Sequence, residues 1–137
     1  MSCECELFEI FLTKLLPIVL LTIALTGCQN KPEPAASKPS DAVTRYYAAV
    51  NAHDTGAYMK SISASRAESM RKNPVMMRKV MDHWKDRHAD VQIITQSEEG
   101  TVGLVEYHVK ITGADPMDTT LKLQVYKEDD GWKFGYF

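Results

Sequence analysis

Val105-Glu106-Tyr107-His108-Val109-Lys110-Ile111 alternates apolar and polar side chains without a break, and that alternation decides the fold. Successive side chains of a strand point to opposite faces, so the run sets Val105, Tyr107, Val109 and Ile111 against a core and turns Glu106, His108 and Lys110 to solvent. The same period of two runs through Val91, Ile93 and Thr95 before it and through Leu121, Leu123 and Val125 after it. Turn residues punctuate these runs: Ser97-Glu98-Glu99-Gly100, Gly113-Ala114-Asp115-Pro116 and Asp129-Asp130-Gly131. Trp132, Phe134 and Tyr136 make a fourth strand. Four half-buried strands joined by short turns imply an antiparallel meander with one covered face.

Upstream of Val91 the apolar period is helical. Ser40 is the expected N-cap of a first helix, with Asp41 in its first turn and Ala42, Val43, Tyr46, Tyr47, Ala49 and Val50 as its apolar stripe. Asp54 caps a second short helix through about Ser63, carrying Tyr58, Met59 and Ile62 and weakened by Gly56. Asn73-Pro74 opens a third helix whose buried stripe is Val75, Met76, Met77, Val80, Met81 and Trp84. Helices first and a meander second is an α+β layout, with the helices on one face of the sheet.

The beginning of the chain has a different character. Leu15 to Leu25 is an apolar run, closed by Thr26-Gly27-Cys28. It falls short of the about 20 residues that a transmembrane helix needs, and an apolar run ending in small residues has the form of a secretory signal. Leu25-Thr26-Gly27-Cys28 resembles the lipobox of bacterial lipoproteins. The resemblance implies that residues 1–27 are a signal peptide, that Cys28 is lipidated, and that this lipid attaches the chain to a membrane. Glu4, Glu6 and Glu9 depart from the positive start of such signals, and a start at Leu12 would place Leu-Thr-Lys directly ahead of the run. Residues 28–40, with Pro32, Pro34 and Pro39 among small and charged residues, read as a lipidated tether, and 41–137 as the domain. In the lipoproteins it resembles, a residue other than Asp after the cysteine, here Gln29, directs the anchor to the outer membrane of Gram-negative cells, facing the periplasm.

Charge and cysteine content narrow the classes of function. Removing residues 1–27 takes Glu4, Glu6, Glu9 and Lys14 from 18 acidic and 16 basic residues, which leaves 15 of each. A neutral chain gives no electrostatic footprint for nucleic acid or for anionic lipid headgroups, which would show as clustered Lys and Arg, so nucleic acid is not an expected partner. Cys3 and Cys5 fall in the discarded segment and Cys28 is the lipid site, so the domain has no disulfide and no thiolate metal site.

Val43-Thr44-Arg45-Tyr46-Tyr47-Ala48-Ala49-Val50-Asn51, Asp54 at the head of the second helix, and the closing Asp130-Gly131-Trp132-Lys133-Phe134 together resemble the nuclear transport factor 2-like superfamily, which includes the SnoaL-like cyclases. The resemblance covers residues 40–137. It implies a curved four-stranded antiparallel sheet wrapped on the N-terminal helices into a cone of cystatin-like shape, with a cavity that some members use for catalysis and others for binding. Enzymes of the superfamily use an Asp, or an Asp-His pair, deep in the cone with a Tyr or second acid as oxyanion donor.

No such constellation is visible in the residues. His108 shares the solvated face with Glu106 and Lys110, and adjacent Asp82 and His83 point about 100° apart on a helix. His53, His83, His88 and His108 show no metal-ligand spacing. Tyr46, Tyr47 and Tyr58 read either as core residues with a wet tip or as hydroxyls presented to a cavity. Met70, Met76, Met77 and Met81 either fill the core or line an adaptable apolar pocket. The candidate cavity lining is therefore Tyr46, Tyr47, Tyr58, Met77, Met81, Trp84 and Tyr107, with no catalytic residue, metal or cofactor assigned. The expected function is a non-catalytic module of the cell envelope that binds a small apolar ligand or an envelope protein. The alternative is a small isomerase, dehydratase or hydrolase that uses the cone.

Overall fold

Pro39 fixes where the first helix begins. In this computed structural model, which describes residues 34–135, α1 spans Pro39–Asn51, and its N-cap is Lys38 in an extended conformation (φ −138°, ψ 160°). The lipobox with Cys28, most of the tether and Tyr136 lie outside the described residues. Proline is pre-set for the first helical position, so the start falls ahead of Ser40, the expected cap. Asp41 reaches back and accepts from the backbone N–H of Ser37 (3.0 Å) and Lys38 (3.2 Å). The fold begins earlier still. Ala36 is buried, forms a parallel bridge with Gly131, and accepts from the Trp132 N–H at 3.2 Å, so part of the stretch read as tether belongs to the domain.

Asp54 caps α2 (Thr55–Ser61) as expected, its Oδ1 accepting from the Ala57 N–H at 2.9 Å. The helix stops before Ser63 because Ile62 turns extended and bridges Phe134. A helix that the sequence does not announce follows, α3 (Ala64–Lys72). Only Ala67 and Met70 of it are buried, and its first N–H is capped by the distant Glu128 carboxylate, with both oxygens 3.1 Å from Ala64 N. Two buried residues make no apolar period, and a cap from another element leaves no local signature.

In α4 (Pro74–Trp84) the expected stripe narrows to Met77, Val80, Met81 and Trp84. Val75 (53% exposed) and Met76 (41%) are not buried, because the helix is fastened at its other end. There Trp84 is buried, and Arg87, just beyond, donates to His83 and to Asp115.

The sheet is an antiparallel meander in the order β1 (Arg87–Glu99), β2 (Val102–Gly113), β3 (Met117–Glu128), β4 (Gly131–Phe134), curled into a half-barrel. Val91 pairs with Val109, Tyr107 with Leu121, Val105 with Leu123, and Val125 with Phe134, so these side chains share the concave face as the alternation requires. One bulge interrupts it. Ile93 pairs with Tyr107 but Thr95 pairs with Glu106, which leaves Ile94 unpaired and turns Thr95 outward, against the expected parity. Gly103 in β2 serves close packing instead. A Cβ there would stand 2.8 Å from Pro39 and 2.9 Å from Val125, so the missing side chain admits the first turn of α1.

Helix α1 touches all four strands. Its Ala42, Val43, Tyr46, Tyr47, Ala49 and Val50 form the core with Val105, Tyr107, Val109, Val125, Trp132 and Phe134. Tyr46 stacks on Phe134 with centroids 3.8 Å apart and planes 8° from parallel.

Candidate functional site

The concave face is covered unevenly. Helix α4 touches α1, α3 and β1, and among the described residues α1 is the one helix in more than slight contact with β2 and β3. Leu121, directly opposite Tyr107, is 36% exposed although it lies on the core side of the sheet; Met117 is exposed too, and Ile111 and Leu123 are half-buried. Apolar side chains on a concave surface that no described element covers make a ligand-accepting shape.

At the base of this strip Tyr47 and Tyr107 bring their hydroxyls within 3.3 Å, buried, with the Trp84 ring edge-on to Tyr47 at 5.9 Å. Met77 and Met81 are half-buried and pack against the hydrophobic core. Tyr46 meets the same Tyr47 ring edge-on at 5.2 Å while stacking on Phe134, and Tyr58, fully buried, tilts against Tyr46 at 5.5 Å, so these aromatic side chains form one packed cluster.

The strand residues that could do acid-base chemistry lie on the convex face. His108 sets Nε2 2.9 Å from Asp118 Oδ1 and Nδ1 3.3 Å from Thr120 Oγ1, and Glu106 meets Lys122 (3.6 Å) and Thr95 (3.4 Å). A catalytic group must reach the reacting atoms, and these side chains are separated from the tyrosine pair by the thickness of the sheet. Among the described residues no three His, Cys, Asp or Glu side chains converge on a metal-sized site, and no helix is long and apolar enough to cross a membrane.

A second concavity, a cleft of about 700 Å³, opens between α2, α3 and the β3–β4 turn, lined by Met59, Ile62, Ala67, Arg71, Glu128 and Lys133 among others. Strand parity puts Lys133 opposite Trp132 and Phe134 and so on the outer face, yet its side chain is only 7% exposed, because the end of α2 folds over it. Its ammonium donates to the Lys60 carbonyl and to Asp130 Oδ2, both at 2.7 Å. The Lys133 hydrogen bond holds the Asp130 carboxyl below the usual carboxylate range. These charges are spent inside the protein, with Glu128 capping α3 and Lys133 joining α2 to the turn.

No protein-family model matches the chain, and no curated protein matches it by sequence. Solved structures match its fold. A SEC-C motif-containing protein from Rhodopseudomonas palustris gives a TM-score of 0.60 at 16% identity, over 74% of this chain and 78% of that one. An NTF2-like family protein from Streptomyces avermitilis, provisionally named a dehydratase, gives 0.54 at 12% identity, over 71% and 89%. A cystatin-like-fold protein of unknown function from Nostoc punctiforme gives 0.50 at 9% identity, over 69% and 81%. At these identities the likeness is one of fold: the domain is an α+β cone of the NTF2-like, cystatin-like type.

Proposed function

We propose that this chain is a lipid-anchored module of the bacterial cell envelope, held in the outer membrane through Cys28, whose cone binds a small apolar ligand without chemical conversion. The observation that carries the reading is the exposure of Leu121 and Met117 on the core side of the sheet, beside a buried tyrosine pair, while Glu106 and His108 face the other way. Aliphatic and methionine side chains adapt to a flexible apolar body, and the two buried hydroxyls are turned to each other. A proton-transfer enzyme would need an inward carboxylate or imidazole beside those hydroxyls, and the strand register points both candidates outward.

The test is photo-crosslinking of the full, membrane-held chain with a diazirine-bearing fatty acid, followed by peptide mapping. Adducts are expected on β3 around Leu121 and on α4 around Met77 and Met81. Leu121→Lys places an unpaired charge on the strip and should reduce labelling about tenfold or more. Labelling that is unchanged in this variant, or that falls on the convex face, overturns the reading.

A further inference from the structure

The neutrality of the chain hides an uneven distribution of charge. From Arg66 to Lys79 five basic residues, Arg66, Arg71, Lys72, Arg78 and Lys79, stand with one acidic residue, Glu68. Glu68 is shared by Arg71 (3.8 Å) and Lys72 (3.1 Å), and Arg78 and Lys79 make no ion pair among the described residues. Helix α3 ends at Lys72 and α4 begins at Pro74, so Asn73 alone joins them and the cations flank one sharp corner.

The corner itself is apolar. Val75 and Met76 are its exposed large apolar side chains, and Val75, Arg78 and Lys79, spaced i, i+3 and i+4, lie on the side of α4 opposite Met77, Val80, Met81 and Trp84. Since the packed stripe faces the core, the Val75 side projects away from the domain.

We propose that the α3–α4 corner is a membrane-contact tip, in which Val75 and Met76 enter the headgroup region of an anionic leaflet while Arg71, Lys72, Arg78 and Lys79 meet its phosphates. Charge complementarity selects the partner: a compact set of cations around an exposed apolar point fits a surface that is negative outside and apolar just beneath. Nucleic acid would satisfy the cations but leave Val75 and Met76 in water. The tip is independent of Cys28 and of the concave strip, since neither supplies any of these residues.

Val75→Trp in the full chain provides the reporter, because Trp84 and Trp132 are buried. The protein is reconstituted with vesicles of brominated phosphatidylcholine, with and without phosphatidylglycerol. The fluorescence of the introduced indole should be quenched on the anionic vesicles, recover in high salt, and stay unquenched on phosphatidylcholine alone. Arg78→Gln with Lys79→Gln should weaken the contact about thirtyfold. A lipidated Cys28 holds the chain on both vesicle types, so the difference in quenching reads the tip alone, and anchoring is read separately by co-sedimentation. Equal quenching on both vesicle types, or none on either, overturns the proposal. So does emission already blue-shifted without vesicles in a sample of dimer mass, which would mean that a second copy covers the corner.

Discussion

Lys133 shows how one side chain can defy the pattern that surrounds it. Alternation alone turns it to solvent, and the structure buries it because the α2 end folds across β4 and offers the Lys60 carbonyl, while Asp130 three residues back supplies the countercharge. A buried ammonium persists only where its donors are satisfied. Asp130 is a neighbour in sequence, but the carbonyl that completes the site and the helix end that buries it come from 73 residues earlier, so no local window of sequence could reveal the burial. Asp130 carries the pH dependence of this joint. Its carboxyl is lowered by the Lys133 hydrogen bond, so it contributes stability that is fully present above the ordinary Asp value of about 3.9 and is lost as pH falls through the lowered one. Asp130→Asn should therefore reduce the thermal midpoint at neutral pH and flatten its decline in acid. Midpoints measured across that range check this, and parallel curves for the two proteins would assign the joint no role.

Asn51 closes the open edge of an element. It is the last residue of α1, and its side-chain amide donates to the Ala89 carbonyl (2.8 Å) while its Oδ1 accepts from the Ala89 N–H (2.9 Å), as a neighbouring strand would. Strand β1 is at the edge of the sheet, so the amide satisfies backbone groups that would otherwise be unpaired or available to another chain. Asn51→Ala should cost about 1–3 kcal/mol in chemical denaturation, and Asn51→Asp, which keeps the acceptor and loses the donor, should recover little of it. What was legible at this scale followed the strength of each pattern. The four strands, α1, α2 and the Asn73-Pro74 start of α4 could be read because each carries its own period or cap. Helix α3 could not, since two buried residues and a borrowed cap leave no trace, and the Ile94 bulge could not, since the register of β1 depends on β2. The stripe of α4 was read too wide because periodicity marks apolar residues without saying which of them find a partner.

For the molecule as a whole, the cone was legible from order and punctuation, and the packing of Trp84 and Tyr107 on Tyr47 from the apolar parity of their elements. The exposure of Leu121 was not legible, because it depends on where α4 stops and not on anything near Leu121. Anchoring is tested at this scale: Cys28→Ser removes the only acceptor for the proposed lipid, and the variant should remain uncleaved or leave the membrane fraction. A mature-sized band that still fractionates with membranes would reject the lipobox reading. The bridge from Ala36 to Gly131 has a temporal consequence. With Trp132 bonded to Ala36 and Phe134 stacked on Tyr46, the first helix closes on the strand made about ninety residues later, a long loop to close before any of that contact energy is gained. A nascent chain cannot lock its helices in place until β4 has emerged from the ribosome. Until then the helices stay loose, the condition that passage across a membrane as an extended polypeptide, the route proposed for this chain, demands.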